Sequence, residues 1–156
     1  MAIEEDIKQQ HFETEHQKAL INLLYTHKYL VYRMAVVFKE YDITRQQYNV
    51  LRILRGQHPK PASINLIKER MLDTMSDASR IVQRLRIKEL ITRTQCSNDR
   101  RAVEICISER GLELLEKSDA KIDGFVASMM GDLNEEDACQ LNELLDKIRV
   151  VPTTKA

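Results

Sequence analysis

Leu90-Ile-Thr-Arg-Thr94 is followed by the polar run Cys96-Ser-Asn-Asp-Arg-Arg101 and then by Val103-Glu-Ile-Cys-Ile107, and this stretch decides how the rest of the chain reads. Val103, Ile105 and Ile107 alternate with Glu104 and Cys106 in a period of two, the repeat of a strand with one buried face. The first segment is short and rich in β-branched residues, and the run between the two carries turn chemistry. The stretch is therefore expected to be a β-hairpin with a basic tip.

Upstream of the hairpin the period changes to that of helices. Ala78, Ile81, Val82 and Leu85 share one face of a helix expected from about Ser76 to Lys88. Before it, Leu72-Asp73-Thr74 reads as a turn, and Ser63 as the cap of a short helix from Ile64 to about Met71. Two short helices joined by a tight turn make a helix-turn-helix. Gln57-His-Pro-Lys-Pro61 is expected to be a loop, since closely spaced prolines forbid helix continuation. Thr44-Arg-Gln-Gln47 is a capping-box pattern opening a helix to about Arg55, with Gly56 expected to end it. Leu20, Leu23, Leu24, Val31, Met34, Ala35 and Phe38 mark one long amphipathic helix, starting after Ile7 and ending near Tyr41.

Downstream, Ser108 caps a helix from Glu109 to about Met130, and Asn134-Glu-Glu-Asp137 begins a last one through Leu141, Leu144, Leu145 and Ile148. The fold class is mostly α with a small β-hairpin wing, a winged helix-turn-helix with helical extensions. A chain of 156 residues is long enough to bury a core as one domain.

Composition excludes several function classes. Cys96, Cys106 and Cys139 are odd in number and lack a CxxC spacing, against a disulfide framework or structural zinc site, and a reducing cytoplasm is expected. His11, His16, His27 and His58 form no i, i+4 pair, so no metal or other cofactor is expected. Gly56, Gly111, Gly124 and Gly131 are too scattered for a phosphate-cradling loop, and no nucleophile and base come together, so the chain does not read as an enzyme. Arg33 interrupts the most apolar run, Tyr29 to Phe38, which leaves no membrane span.

The net charge is zero, yet residues 60–101 hold ten basic against five acidic side chains, a local +5, while residues 104–156 are net −6. A basic middle beside an acidic end suits a chain of which only the middle faces phosphate, because counterion release responds to local charge. On the helical wheel, Ser76, Arg80, Gln83 and Ile87 lie opposite the buried stripe, with Ser79 and Arg84 on its flanks. Arg80 and Gln83 can read guanine and adenine edges in the major groove. Ser76 and Ser79, near the helix N-terminus, suit phosphate oxygens, whereas Asp77 suits the helix dipole. Arg84, Arg86 and Lys88 either touch phosphate or form a solvated surface.

Asp99-Arg-Arg-Ala-Val-Glu-Ile-Cys-Ile-Ser-Glu-Arg-Gly111 resembles the wing of the bacterial MarR-type regulators, in which an Asp-x-Arg pair precedes a hydrophobic strand, a Ser or Thr cap and a glycine. Ser79-Arg-Ile-Val-Gln-Arg-Leu85 is similar to that family's recognition helix, and the likeness extends over about residues 20–148. One departure is Glu89, where the family usually has a glycine. The resemblance implies a single MarR-type domain over 1–156. Its DNA-binding part would span 44–110, and the helices of 7–40 and 111–150 would form a homodimer, with residues 7–30 and 125–150 building the interface.

It further implies that Arg100 or Arg101 enters the minor groove of a palindromic operator, that Asp99 orients the wing by pairing with Arg101, and that the chain represses transcription. A small aromatic effector would enter a cleft lined by Tyr25, Tyr29, Tyr32, Arg33 and Tyr48. Cys96 would serve a thiol-based redox alternative, although no cysteine lies near the start of the first long helix, where the peroxide-sensing branch carries it. The competing class is a winged-helix protein-interaction module without specific DNA binding.

Overall fold

The computed structural model describes residues 2–73, 75–95 and 103–150. The element order is α1 (Ile3–Ile7), α2 (Glu15–Lys39), α3 (Arg45–Gln57), α4 (Ile64–Arg70), α5 (Ala78–Ile87), β1 (Ile91–Gln95), β2 (Val103–Ile107), α6 (Glu109–Met130) and α7 (Glu135–Ile148). This is the mostly helical architecture with a two-stranded wing that the sequence implied. The chain forms two compact units, Met1–Lys121 and Ile122–Ala156, with α6 running through the division.

Local chemistry starts most of the helices. Thr44 Oγ1 accepts from the Gln47 backbone N–H at 3.2 Å while Gln47 Oε1 accepts from the Thr44 N–H at 3.0 Å, a complete capping box. Asn134 and Asp137 repeat it at α7, and Ser63 accepts from Leu66 N–H at α4. Each such cap stabilises its helix by about 1 kcal/mol.

One of these helix boundaries differs from expectation. α3 continues through Gly56 to Gln57, so the glycine does not end it; His58 N–H still donates to the Leu54 carbonyl at 3.0 Å, and the helix stops before Pro59, which has no N–H to donate. The first long helix begins at Glu15, after Ile7 as expected, where Thr14 Oγ1 accepts from Gln17 N–H at 3.1 Å. Before it stands α1, five residues too short to show a period, anchored by buried Ile3 and by Lys18 Nζ 2.5 Å from Glu4 Oε1. The pair holds the Glu4 carboxyl below its ordinary range and the Lys18 ammonium above its own, in each case chiefly through their mutual hydrogen bond.

The core of the first unit gathers Phe38 of α2, Val50, Leu51 and Leu54 of α3, Ile67 of α4, Val82 and Leu85 of α5, Ile105 of β2 and Leu115 of α6, all buried. β1 and β2 are antiparallel, with Ile91 opposite Ile107 and Arg93 opposite Ile105. Ala62 adds one rung on the far side of β2, its N–H donating to the Ile105 carbonyl at 2.8 Å and its carbonyl accepting from Ile105 N–H at 3.0 Å. The loop after α3 is thereby tied to the wing.

At the exit of α5, Glu89 takes the left-handed conformation at φ 59°. Leu90 N–H donates to the Leu85 carbonyl and Glu89 N–H to the Arg86 carbonyl, the paired bonds of a Schellman ending. In the second unit α7 buries none of its residues, leaving Leu144 and Ile148 exposed. No helix among the described residues is long and apolar enough to cross a membrane.

Candidate nucleic-acid interface

Helix α5 is seated by its apolar stripe: Ala78, Val82 and Leu85 are buried and Ile81 is half-buried. Its first turn is capped by Asp77, whose carboxylate accepts from Arg80 N–H at 3.1 Å. The helix therefore starts at Ala78, later than the pattern suggested, and Ser76 lies outside it. Ser76 Oγ donates to Asp73 Oδ2 at 2.8 Å, which commits its one hydroxyl proton and removes it as a donor to phosphate.

Asp73 organises the turn before α5. Besides Ser76, its carboxylate accepts from Met75 N–H at 3.2 Å and from Gln46 Nε2 at 3.5 Å, with Arg45 Nη2 3.9 Å away. These partners, Ser76 first, hold its carboxyl below the ordinary aspartate range against the opposing effect of desolvation. Asn49 Oδ1 on α3 accepts from Leu72 N–H at 3.0 Å. Sequence reasoning placed Asp73 in a turn without giving it a role and passed over Asn49; the Asp-x-x-Ser spacing of Asp73 and Ser76 was the available signal for the first, and nothing local marks Asn49.

On the outward face Ser79, Arg80 and Arg84 are exposed and Gln83 is half-buried. Among the described residues none of these four side chains is engaged in a hydrogen bond or ion pair. Lys88, by contrast, is committed: its ammonium donates to Asp42 Oδ2 at 2.8 Å and to the Asp42 backbone carbonyl, which ties the end of α5 to the corner between α2 and α3. Arg86 and Arg93 are exposed. The expected wing residues Asp99, Arg100 and Arg101, and Cys96 with them, lie outside the described residues.

A seated helix with a bare polar face is entered by a pinned turn and followed by β1, and these elements lie within residues 41–102, which the model of the MarR family matches. This stretch is similar to the MarR family. Solved structures agree over most of the chain's length. A MarR transcription factor from Planctomyces limnophilus is 28% identical with a TM-score of 0.69, covering 90% of this chain and 100% of that one. The S. aureus MepR–DNA complex is 22% identical with a TM-score of 0.73, covering 83% and 94%. The Bordetella bronchiseptica regulator BpsR, whose DNA binding is regulated by 6-hydroxynicotinic acid, is 22% identical with a TM-score of 0.64, covering 81% and 98%.

Within this fold the five residues expected to line an effector cleft do not converge. Tyr48 is buried against Phe38, ring centroids 4.7 Å apart, and its hydroxyl bridges Asp119 Oδ1 at 3.3 Å and Arg52 Nη1 at 3.1 Å. Arg55 Nη1 completes that cluster 2.7 Å from Asp119 Oδ2. Tyr25 and Tyr29 line a hollow with Ala2, Ile3 and Asp6 beside α1. Tyr32 and Arg33 are exposed and line neither this hollow nor the larger cavity. On α2, Tyr25, Tyr29, Tyr32 and Arg33 stand at i, i+4, i+7 and i+8 and share one face, but Tyr48 packs into the core on α3, and only packing decides which of the five meet.

The larger cavity, about 760 Å³, lies instead between the second half of α2, the start of α3 and the end of α5. Its walls are Val31, Ala35, Ile43 and Ile87, and Lys39, Arg45, Arg84 and Lys88 also line it. Of the described cysteines, Cys106 is half-buried on β2 and Cys139 is exposed on α7.

Proposed function

We propose that this chain is a transcription regulator that reads duplex DNA in a sequence-specific way, acting as a homodimeric repressor on a palindromic operator. The observation that carries the reading is the outward face of α5, where Ser79, Arg80, Gln83 and Arg84 have no side-chain partner among the described residues while the opposite face is buried. Arg80 and Gln83 are the base readers in this reading, Ser79 and Arg84 phosphate contacts, and Arg100 or Arg101 the minor-groove contact. The solved MepR complex with DNA supports the same use of the fold.

Dimerisation is supported by apolar side chains that each unit leaves in water. Leu20, Leu24 and Val36 are exposed on α2 and Leu141, Leu144 and Ile148 on α7, a pattern expected of helices that pair with a second copy. Two symmetric half-sites one helical turn apart would follow. Release by a small aromatic effector is supported by the regulation of BpsR by 6-hydroxynicotinic acid. The α2–α3–α5 cavity, of a size that suits small ligands, favours that site over the dispersed tyrosines.

The test is selection of bound sites from a random duplex library by the purified protein, repeated for Arg80→Ala and Arg101→Ala. A palindrome is expected, with Arg80→Ala relaxing one position of each half-site by about 1–3 kcal/mol and Arg101→Ala weakening flanking A·T preference. Enrichment of no sequence at low salt would overturn the reading.

A further inference from the structure

The two most exposed large apolar side chains among the described residues are Met75, 93% exposed, and Leu72, 81% exposed. Both lie in the turn that leads into α5, and the backbone there is held from below. Leu72 N–H donates to Asn49 Oδ1 on α3, and Met75 N–H to Asp73 Oδ1. Ser76 closes the turn through its N–H to the Asp73 carbonyl at 3.3 Å and its hydroxyl to the Asp73 carboxylate. The pinned backbone keeps the turn from refolding to bury either side chain. A single exposed apolar residue on a surface is ordinary. Two extreme ones on one pinned turn, directly before a helix whose free face carries Ser79 and Arg80, are placed for a partner.

Resting on the reading of α5 as the DNA-reading helix, we propose that Met75, with Leu72 beside it, contacts the C5-methyl group of a thymine in each half-site. The N-terminal end of a recognition helix is the end that meets base edges. Of all groups that base edges present in the major groove, the thymine methyl is the apolar one. An unbranched thioether adapts its shape to such a target. The adjoining Arg80 and the local excess of basic residues favour nucleic acid as the occupant over an apolar protein surface.

The test is a scan of the selected operator in which each thymine is replaced by deoxyuridine, which removes the methyl group and leaves base pairing intact. Wild-type protein is expected to lose about fourfold in affinity for each half-site at one thymine, the effect of one methyl group no longer buried. Met75→Ala and the equally long Met75→Gln are expected to be indifferent to the replacement at that position while keeping the Arg80-dependent position and an unchanged salt slope. A flat deoxyuridine scan, or sensitivity that survives both variants, would overturn the inference and leave the DNA-reading function standing. Loss of dimer rather than of thymine preference in Met75→Ala would overturn it in favour of a second copy of the chain. If the wild-type protein selects no sequence, both fail together.

Discussion

A methyl group placed on Gly111 would stand 2.3 Å from the carbonyl oxygen of Leu90 and 2.8 Å from Ile107 Cγ1. The same corner holds Ser108, whose N–H donates to the Leu90 carbonyl at 3.1 Å, and whose hydroxyl donates to the Glu89 carbonyl at 2.7 Å and accepts from Gly111 N–H at 3.1 Å. The exit of α5 and the start of α6 therefore lie in backbone contact, and the wing hangs from both.

Gly111→Ala sets two effects against each other. Alanine gains about 1 kcal/mol of helix propensity over glycine. The clash with a hydrogen-bonded backbone carbonyl offers no flexible end to give way, and overpacking of this kind costs about 1–3 kcal/mol. A net loss of about 1 kcal/mol is expected, read as a lower denaturant midpoint at unchanged slope. A gain in stability would show that the corner can open.

At Glu89 the backbone is left-handed, and its carboxylate meets Arg110 Nη1 at 2.7 Å with both side chains mostly in water. The exposed pair contributes little, in the range of about 0–1 kcal/mol. The left-handed conformation costs a residue with a Cβ about 1 kcal/mol or more. Glu89→Gly is expected to raise stability by about 0.5 kcal/mol and Glu89→Val to lower it by more than about 1 kcal/mol. Chemical denaturation of the two variants checks the order, and equal effects of both would mean that the ion pair governs this position.

The carboxyl of Asp73 is held below its ordinary range by Ser76, Gln46, Met75 N–H and Arg45. A carboxyl lowered in the folded state gives stability that is fully present above its unfolded value, about pH 4, and is lost as the pH falls through the folded value. Relative to Asp73→Asn, the wild-type protein is expected to hold a constant advantage in thermal midpoint from neutral pH down to about pH 5. That advantage then narrows below about pH 4. An advantage that stays level through that window would place the stabilisation elsewhere.

How much of this was legible in the sequence follows the range of each interaction. The capping boxes at Thr44 and Asn134 and the caps at Ser63 and Ser108 involve partners within three residues, and each appears where its pattern stands. The buried stripe of α5 and the alternation of β2 are equally local in period. The start of α5 was placed about two residues early, at Ser76, because an apolar period marks the face of a helix and not its end; Asp77 caps the helix and Asp73 holds the Ser76 hydroxyl in the turn. The tyrosines of α2 share one face at i, i+4 and i+7, but that spacing does not say what packs against the face, and Tyr48 is held in the core by Phe38 instead.

The sequence by itself determined the order of elements from α2 onward, the caps that start α3, α4, α6 and α7, and the polar face of α5, since these depend on neighbours three or four residues apart. Only the tertiary structure decided that Ala62 joins the edge of β2, that Asp119 gathers Tyr48 and Arg55, that Lys88 is committed to Asp42, and that Gly111 fits beneath Leu90. Each of these joins residues between 21 and 71 positions apart. Such contacts depend on how whole elements pack, and packing is set by the shapes of many buried side chains at once rather than by any pattern along the chain.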